Sequence, residues 1–579
     1  MTKSFYFFTF ALTLFLSAFL LFSLQPLVGK LLLPLVGGSP QGWLVALVFF
    51  QAALLLGYYA AHVLSRLAVQ KHVMIYVVCL GLSFIFLPIS LATHQELIDG
   101  IPNAFDVFKL LVITAAFPFA TLAMTSPSLQ RFFSHYSSDS PYILYAVSNA
   151  GSLLGLLSYP LLIEWVMPLS LQSKSWMMGM MVVMALVLLI VMQSRHKPLI
   201  NVTRDDAEKS AKPSLNDHIL WVLYAAIPSG LLMGVSATLM VQVVSMPLMW
   251  ALPLALYLIT LIMAFGEGAF SKKINSSLFI YMPFIASAGV FLSSYGTDLR
   301  LGTFLKLGAH LAVFFAACLI CHAMLAHIKP HKKYLTSYYL WQSLGSVLGS
   351  AFCVFIAPKL FKTPLEYPLL LLAAVALSPY LKAKFTGFYS TAALIGLMLM
   401  FVYVGIFYVD KTAIPLMMTV LFLAALLIGV HPKSALAMSF VLLLMWTHNL
   451  EKRAIDLSRN FFGSIRVMSQ EYQPHQEQPA VTIRALTHGS TLHGFSTGDA
   501  VRDRTAMSYY HHEGPLGEIM TATAPEHVAV IGLGTGNIAC YGGKTRQYTF
   551  IEIDADIEKV ARKYFPFLDL CPVNPPKVI

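Results

Sequence analysis

Uninterrupted apolar runs of eighteen or more residues recur along the first 450 positions of this chain, and they limit its folding more than any other feature. Inside a bilayer each unpaired backbone N–H or C=O costs several kcal/mol, so runs of this length are satisfied as membrane-crossing helices. Of the 579 residues 57% are hydrophobic and 11% charged, and the mean hydropathy is +0.71, which points to a chain that crosses the membrane many times. The formal charge of +11 would suit a nucleic-acid partner if it were spread or clustered on a soluble domain. Residues 451–579 hold 13 Lys and Arg against 14 Asp and Glu, so the basic excess lies in the membrane part, where Lys and Arg in short loops set orientation. A nucleic-acid partner is excluded on that ground, and the partner implied is the lipid bilayer.

The apolar segments predict helices near 4–24, 43–61, 73–92, 107–129, 141–163 and 176–193, each ended by Pro, Gly or charge. The first has a basic start but is too long for a signal-peptide core and lacks a small-residue cleavage site, so it reads as a retained helix. A polar, mixed-charge connector over 194–217 follows. Six more helices are expected near 219–241, 250–270, 277–295, 303–327, 336–360 and 366–381, with weaker candidates near 387–408, 412–430 and 434–449. The expected domain plan is therefore 1–193, a connector, 218–384, additional helices over 385–450, and a soluble part over 451–579, with 12 to 15 crossings in all. The halves look related: "NAGSLLG" at Asn149–Gly155 recurs as "SLGSVLG" at Ser343–Gly349, and Trp43 and Trp250 hold the same relative place. Two six-helix repeats in the same orientation around a polar central loop describe a major facilitator-like architecture. Small residues at this spacing also serve simply to let membrane helices approach closely. Loop charges, with Arg66, Lys71, Arg131 and Lys197 on one side and Glu96, Asp99, Asp106 and Glu164 on the other, predict a multi-pass protein of the cell (inner) membrane with a cytoplasmic N-terminus. Nothing in the residues requires or forbids a homo-oligomer.

Polar residues within the apolar spans are few. Lys30 draws attention because an ammonium at membrane depth is costly and often functional, although a lysine at a helix end also snorkels to the interface. Glu164 and Glu267 sit at helix ends and read as interface residues. His310, Cys318, Cys321 and His322 share one helix, but His310 is more than two turns from Cys318 and a zinc ion needs four converging donors, so no metal is expected. The six cysteines are too few and scattered to predict a disulfide framework.

From Glu451 charge returns to nearly every block of ten. Ala480–Ser496 alternates apolar and polar residues and turns at Gly489, which predicts a hairpin. "EHVAVIGLGTG" then reads as a strand that ends in Gly532, Gly534 and Gly536, with a helix expected after Gly536 to turn free N–H groups toward a ligand. "QYTFIEIDADIEKVARKYF" supplies a second strand, and its Glu552 lies twenty residues after Gly532, the separation at which a carboxylate meets ribose hydroxyls. Asp554 follows two positions later on the same strand face. A structural glycine turn that binds nothing is the alternative reading of the same residues.

"VAVIGLGTGNIACYG", "YTFIEIDADIEKVARKYFPFL", "HGSTLHG" and "SYYHHEGPLG" resemble the aminopropyltransferase family, the spermidine synthases, and more narrowly its members with a multi-pass membrane region before the catalytic domain. "LQPLVGKLLLPLVGGSP" is similar to those members as well. The resemblance implies a Rossmann-like α/β domain and aminopropyl transfer from decarboxylated S-adenosylmethionine, as co-substrate, to a polyamine acceptor such as putrescine. By the same resemblance Gly532, Gly534 and Gly536 line the nucleoside, Glu552 holds its ribose, and His493 with Tyr509 or Tyr510 borders the substrate. It also implies a third strand, whose first residues "PPKVI" resembles, and, beyond Ile579, an adenine-recognising turn and a proton-accepting aspartate, so the domain is expected to be incomplete as written and the catalytic base to be missing from it. Two alternatives stay open: a carrier of polyamines or related cations with a vestigial nucleoside-binding tail, and a methyltransferase that uses S-adenosylmethionine.

Overall fold

The structure is a computed structural model that describes residues 3–36, 40–91, 103–136, 142–194, 212–242, 249–265, 303–330, 334–377, 454–472, 481–489, 491–542 and 545–579, with isolated positions in 285–293 and 440–447. The connector expected over 194–217, the helix expected near 277–295 and the three weaker candidates beyond 387 lie wholly or largely outside the described residues. The chain divides into two compact units, one of residues 1–357 with 364–443, the other of residues 358–363 with 444–579.

The first unit is helical. Its main helices are α1 (Lys3–Val36), α2 (Pro40–Leu64), α3 (Val69–Leu82), α4 (Ala104–Ala123), α5 (Thr125–Tyr136), α6 (Tyr142–Ser158), α7 (Leu169–Ser194), α8 (Leu215–Gln242), α9 (Ala251–Phe265), α10 (Thr303–His327), α11 (Leu335–Ala351) and α12 (Glu366–Ala376). Among the described residues eight helical stretches are long and apolar enough to cross a membrane. The first helix departs from expectation: α1 continues ten residues and more beyond the predicted stop, through Pro26 and Pro34. Proline ends helices in water because it frees a carbonyl, but in a membrane neighbouring groups and local adjustments tolerate it. Lys30 therefore sits within a helix, where its ammonium pairs with the Glu164 carboxylate. Sequence reasoning treated these two residues separately; the structure makes them a single ion pair.

The two halves use the same packing device. A Cβ on Gly151 or Gly155 of α6 would lie 2.3 or 2.4 Å from the carbonyl oxygen of Phe15 or Phe19 on α1. A Cβ on Gly345 or Gly349 of α11 would lie 2.3 or 1.9 Å from that of Val222 or Ala226 on α8. Only glycine admits such an approach of one backbone to another. Each of these glycine helices then passes into a π-helical turn, Tyr159–Ile163 in one half and Phe352–Ile356 in the other. Trp43 and Trp250, which hold matching places in the sequence, meet each other with ring centroids 6.3 Å apart.

The second unit holds two sheets. Strands β1 (Ala454–Asn460), β2 (Gly463–Tyr472), β3 (Val481–His488) and β4 (Thr491–Ser496) form an antiparallel meander, of which the sequence reading anticipated only the last hairpin. A short helix α13 (Pro515–Thr523) leads to β5 (His527–Ile531), which pairs in parallel with β6 (Gln547–Ile551). Helix α14 (Ala555–Tyr564) connects β6 to the two-residue β7 (Lys577–Val578), again parallel. Ile465, Val467 and Leu486 of the meander share one buried core with Tyr548 and Phe550 of β6 and with Val560 of α14. Cys540 and Cys571 form a disulfide, a single bridge and not a framework, and one the sequence did not anticipate: spacing along the chain does not reveal that the turn after β5 and the segment after Leu570 meet.

Candidate functional site

In the second unit β5 ends at a bend whose Gly532, Gly534 and Gly536 have φ of 87°, 58° and 79°. These values favour glycine whatever the space, and around Gly532 the space is open. Glu552, at the end of β6, turns its carboxylate onto this bend: one oxygen accepts from the Leu533 N–H at 2.7 Å and the other from the Asp554 N–H at 3.0 Å. Each oxygen keeps a lone pair for a further donor. His493 of β4 reaches the same place, since its carbonyl oxygen lies 3.2 Å from where a Cβ of Gly534 would stand. Burial, and secondarily the neighbouring His488, lowers the His493 pKa below the usual 6.5, so its ring is neutral at neutral pH.

Other expected residues do different work. Asp554 is buried, with a relative exposure of 4%. It caps α14 through the Asp556 N–H, and both its oxygens accept from Asn460 Nδ2, at 2.8 and 2.9 Å. Its carboxylate is thereby engaged in holding the β1–β2 hairpin. Asn460 gave no signal in the sequence, because a hairpin-tip asparagine ordinarily serves only its own turn, as its Oδ1 does here for the Phe462 and Gly463 N–H groups. Tyr509 and Tyr510 lie against each other with centroids 4.3 Å apart, and the Tyr510 carbonyl accepts from the Tyr541 hydroxyl, which ties this pair to the turn after the bend. The helix expected after Gly536 is a five-residue 3₁₀ turn, Asn537–Tyr541, too short to present a helix N-terminus to a ligand. Asn537 within it accepts from the Met507 N–H at 2.7 Å.

The helical unit contains a cavity of about 180 Å³ that sequence reasoning did not locate. Its walls repeat with the two halves. Leu47, Phe50 and Leu54 of α2 line it together with Leu254, Tyr257 and Leu261 of α9, each pair 207 residues apart. Asn149 and Ser152 of α6 line it with Ser343 and Ser346 of α11, each pair 194 apart. The motif Asn149–Gly155 and its counterpart Ser343–Gly349 thus do two jobs: their glycines bring helices together, and their Asn and Ser residues face one chamber. In α10 two of the four residues weighed for metal binding have other partners, His322 Nδ1 paired to Thr260 Oγ1 at 2.9 Å and Cys318 directed at the Pro228 carbonyl.

No protein-family profile matches the chain, and no curated protein matches it. Among solved structures, that of the human organic anion transporter MFSD10 (TETRAN) is similar at 14% identity, covering 64% of this chain and 97% of that one with a TM-score of 0.42. A likeness of that strength fixes neither fold nor function.

Proposed function

We propose that the helical unit is a solute carrier built from two related halves, with its binding site in the cavity that matching residues of both halves line. That cavity carries the reading: a chamber whose walls repeat at fixed offsets gives a site that can be exposed alternately on either side as one half rocks against the other. The finer architecture, two six-helix major facilitator-like repeats with 12 to 15 crossings and a cytoplasmic N-terminus in the cell membrane, belongs to the same proposal. The full chain reconstituted in proteoliposomes should exchange an internal for an external labelled solute, and Ser152→Trp with Ser346→Trp should abolish exchange by filling the chamber. Undiminished exchange in that folded double variant would rule out this site.

The tail supports a second reading. The Glu552 carboxylate at a three-glycine bend favours a Rossmann-like nucleoside site, in which that carboxylate takes a ribose hydroxyl. The resemblance to spermidine synthases then makes decarboxylated S-adenosylmethionine the co-substrate and putrescine the acceptor, and S-adenosylmethionine the co-substrate if methyl is transferred instead. In that chemistry the sulfonium is already a good leaving group, so the protein has mainly to align an uncharged amine with the carbon and take up its proton. Formation of methylthioadenosine from decarboxylated S-adenosylmethionine and putrescine is the test. Failure of the tail to retain any adenosyl compound would end the enzymatic reading.

A further inference from the structure

The cavity's lining says what class of molecule suits it, an inference that rests on the carrier reading for its purpose but not for its chemistry. Among the described residues its walls contain no Asp, Glu, Lys, Arg or His. They are instead aliphatic and aromatic, with Phe50 and Tyr257 at matching places, and with side-chain amides and hydroxyls interspersed. Two of those amides are incomplete: the side-chain oxygens of Gln51 on α2 and Gln342 on α11 are buried and accept no hydrogen bond. A buried acceptor left without a donor is a standing penalty; both oxygens are closed off from the chamber as the side chains stand, so a turn of each amide toward it would let a bound molecule with N–H or O–H groups relieve that penalty.

We propose that the cavity binds a small uncharged molecule with an apolar, aromatic-sized body and at least two hydrogen-bond donors, which Gln51 and Gln342 receive from opposite halves. A free polyamine fits poorly, because two ammonium groups would leave water for a chamber that offers no carboxylate in return. The size is consistent with a compact ligand: a cavity of roughly 150 Å³ suffices to take benzene, so one of about 180 Å³ holds a molecule of about seven or eight heavy atoms.

The test is equilibrium binding to the purified full chain with adenine, resorcinol and hexane-1,6-diol as uncharged donor-bearing probes, and putrescine as the dication. At least one uncharged probe should bind, with affinity lowered about tenfold by Gln51→Leu and again by Gln342→Leu, while putrescine does not bind in the cavity. Gln51→Glu should reverse the preference toward putrescine, which separates a chemical role from a merely structural one. Binding of putrescine to the unaltered protein in competition with an uncharged probe, or binding of none of the three uncharged probes, overturns the proposal. An uncharged probe that binds, responds to both glutamine variants and yet is never moved across proteoliposomes would leave this inference standing and sink the carrier reading.

Discussion

The closest backbone approach in the helical unit gives the sharpest test of its packing. A Cβ on Gly349 would stand 1.9 Å from the Ala226 carbonyl oxygen and 2.7 Å from its carbon, so Gly349→Ala forces α8 and α11 apart by roughly an ångström or more. The obstacle is main chain, which cannot rotate away as a side chain would, and overpacking of this kind costs about 1–3 kcal/mol. Gly308 in α10 is the control: nothing lies within 4 Å of its would-be Cβ, so Gly308→Ala should gain about 0.5–1 kcal/mol from helix propensity alone. Thermal unfolding of the detergent-solubilised chain, followed by size-exclusion recovery, should place the two alanine variants on opposite sides of the unaltered protein. Within the glycine set the loss should be greatest at Gly349, where the gap is 1.9 Å, and smallest at Gly155, where it is 2.4 Å. If Gly349→Ala unfolds no earlier than the unaltered protein, the seam is not close-packed and the equivalence of the two halves loses its main support.

Four further outcomes are expected. Glu552→Ala should leave the Leu533 and Asp554 N–H groups without acceptors, cost roughly 1–3 kcal/mol, and speed hydrogen exchange in peptides that span the glycine bend; unchanged exchange there would refute the contact. His488 and His493 both have pKa values lowered from 6.5, chiefly by burial, so the unfolded chain binds more protons than the folded one below that pH. Their contribution is fully present above pH 6.5 and is lost as pH falls toward the folded values, so exchange protection of β3 and β4 should decline on acidification, and His493→Gln should flatten that decline. Lys30→Met alone, which strands the Glu164 carboxylate, should lower the melting temperature more than Lys30→Met together with Glu164→Gln; a double variant no more stable than the single one would refute the pair. Cys540→Ser opens a bridge between residues 31 apart and should destabilise the tail by about 3–4 kcal/mol on the chain-entropy account, read as faster proteolysis of the second unit.

What could be read from the chain follows the range of the forces involved. Apolar runs announce membrane helices because the bilayer imposes one local rule, and the small-residue motif announced the close approach of α6 to α1 and of α11 to α8 because such packing imposes another. The glycine bend and Glu552 were legible for a similar reason: positive φ demands glycine, and a strand–turn–strand path fixes how far on the acid must come. Contacts between distant residues left no such trace. The Lys30–Glu164 pair, the Asn460–Asp554 clamp and the joining of Cys540 to Cys571 each depend on a path through the whole fold, and α1 outran its prolines because stop signals learned in water weaken in lipid.

The sulfur bridge has a practical bearing on any study of the tail. One of its ends lies in the turn immediately after the glycine bend, the other just past the segment whose Leu568 packs against Gly536. Disulfides persist in oxidising surroundings and open in reducing ones. A preparation kept in dithiothreitol and one kept free of thiols would therefore present two different floors beneath the same loop, and adenosyl-compound affinities measured on them would not be interchangeable.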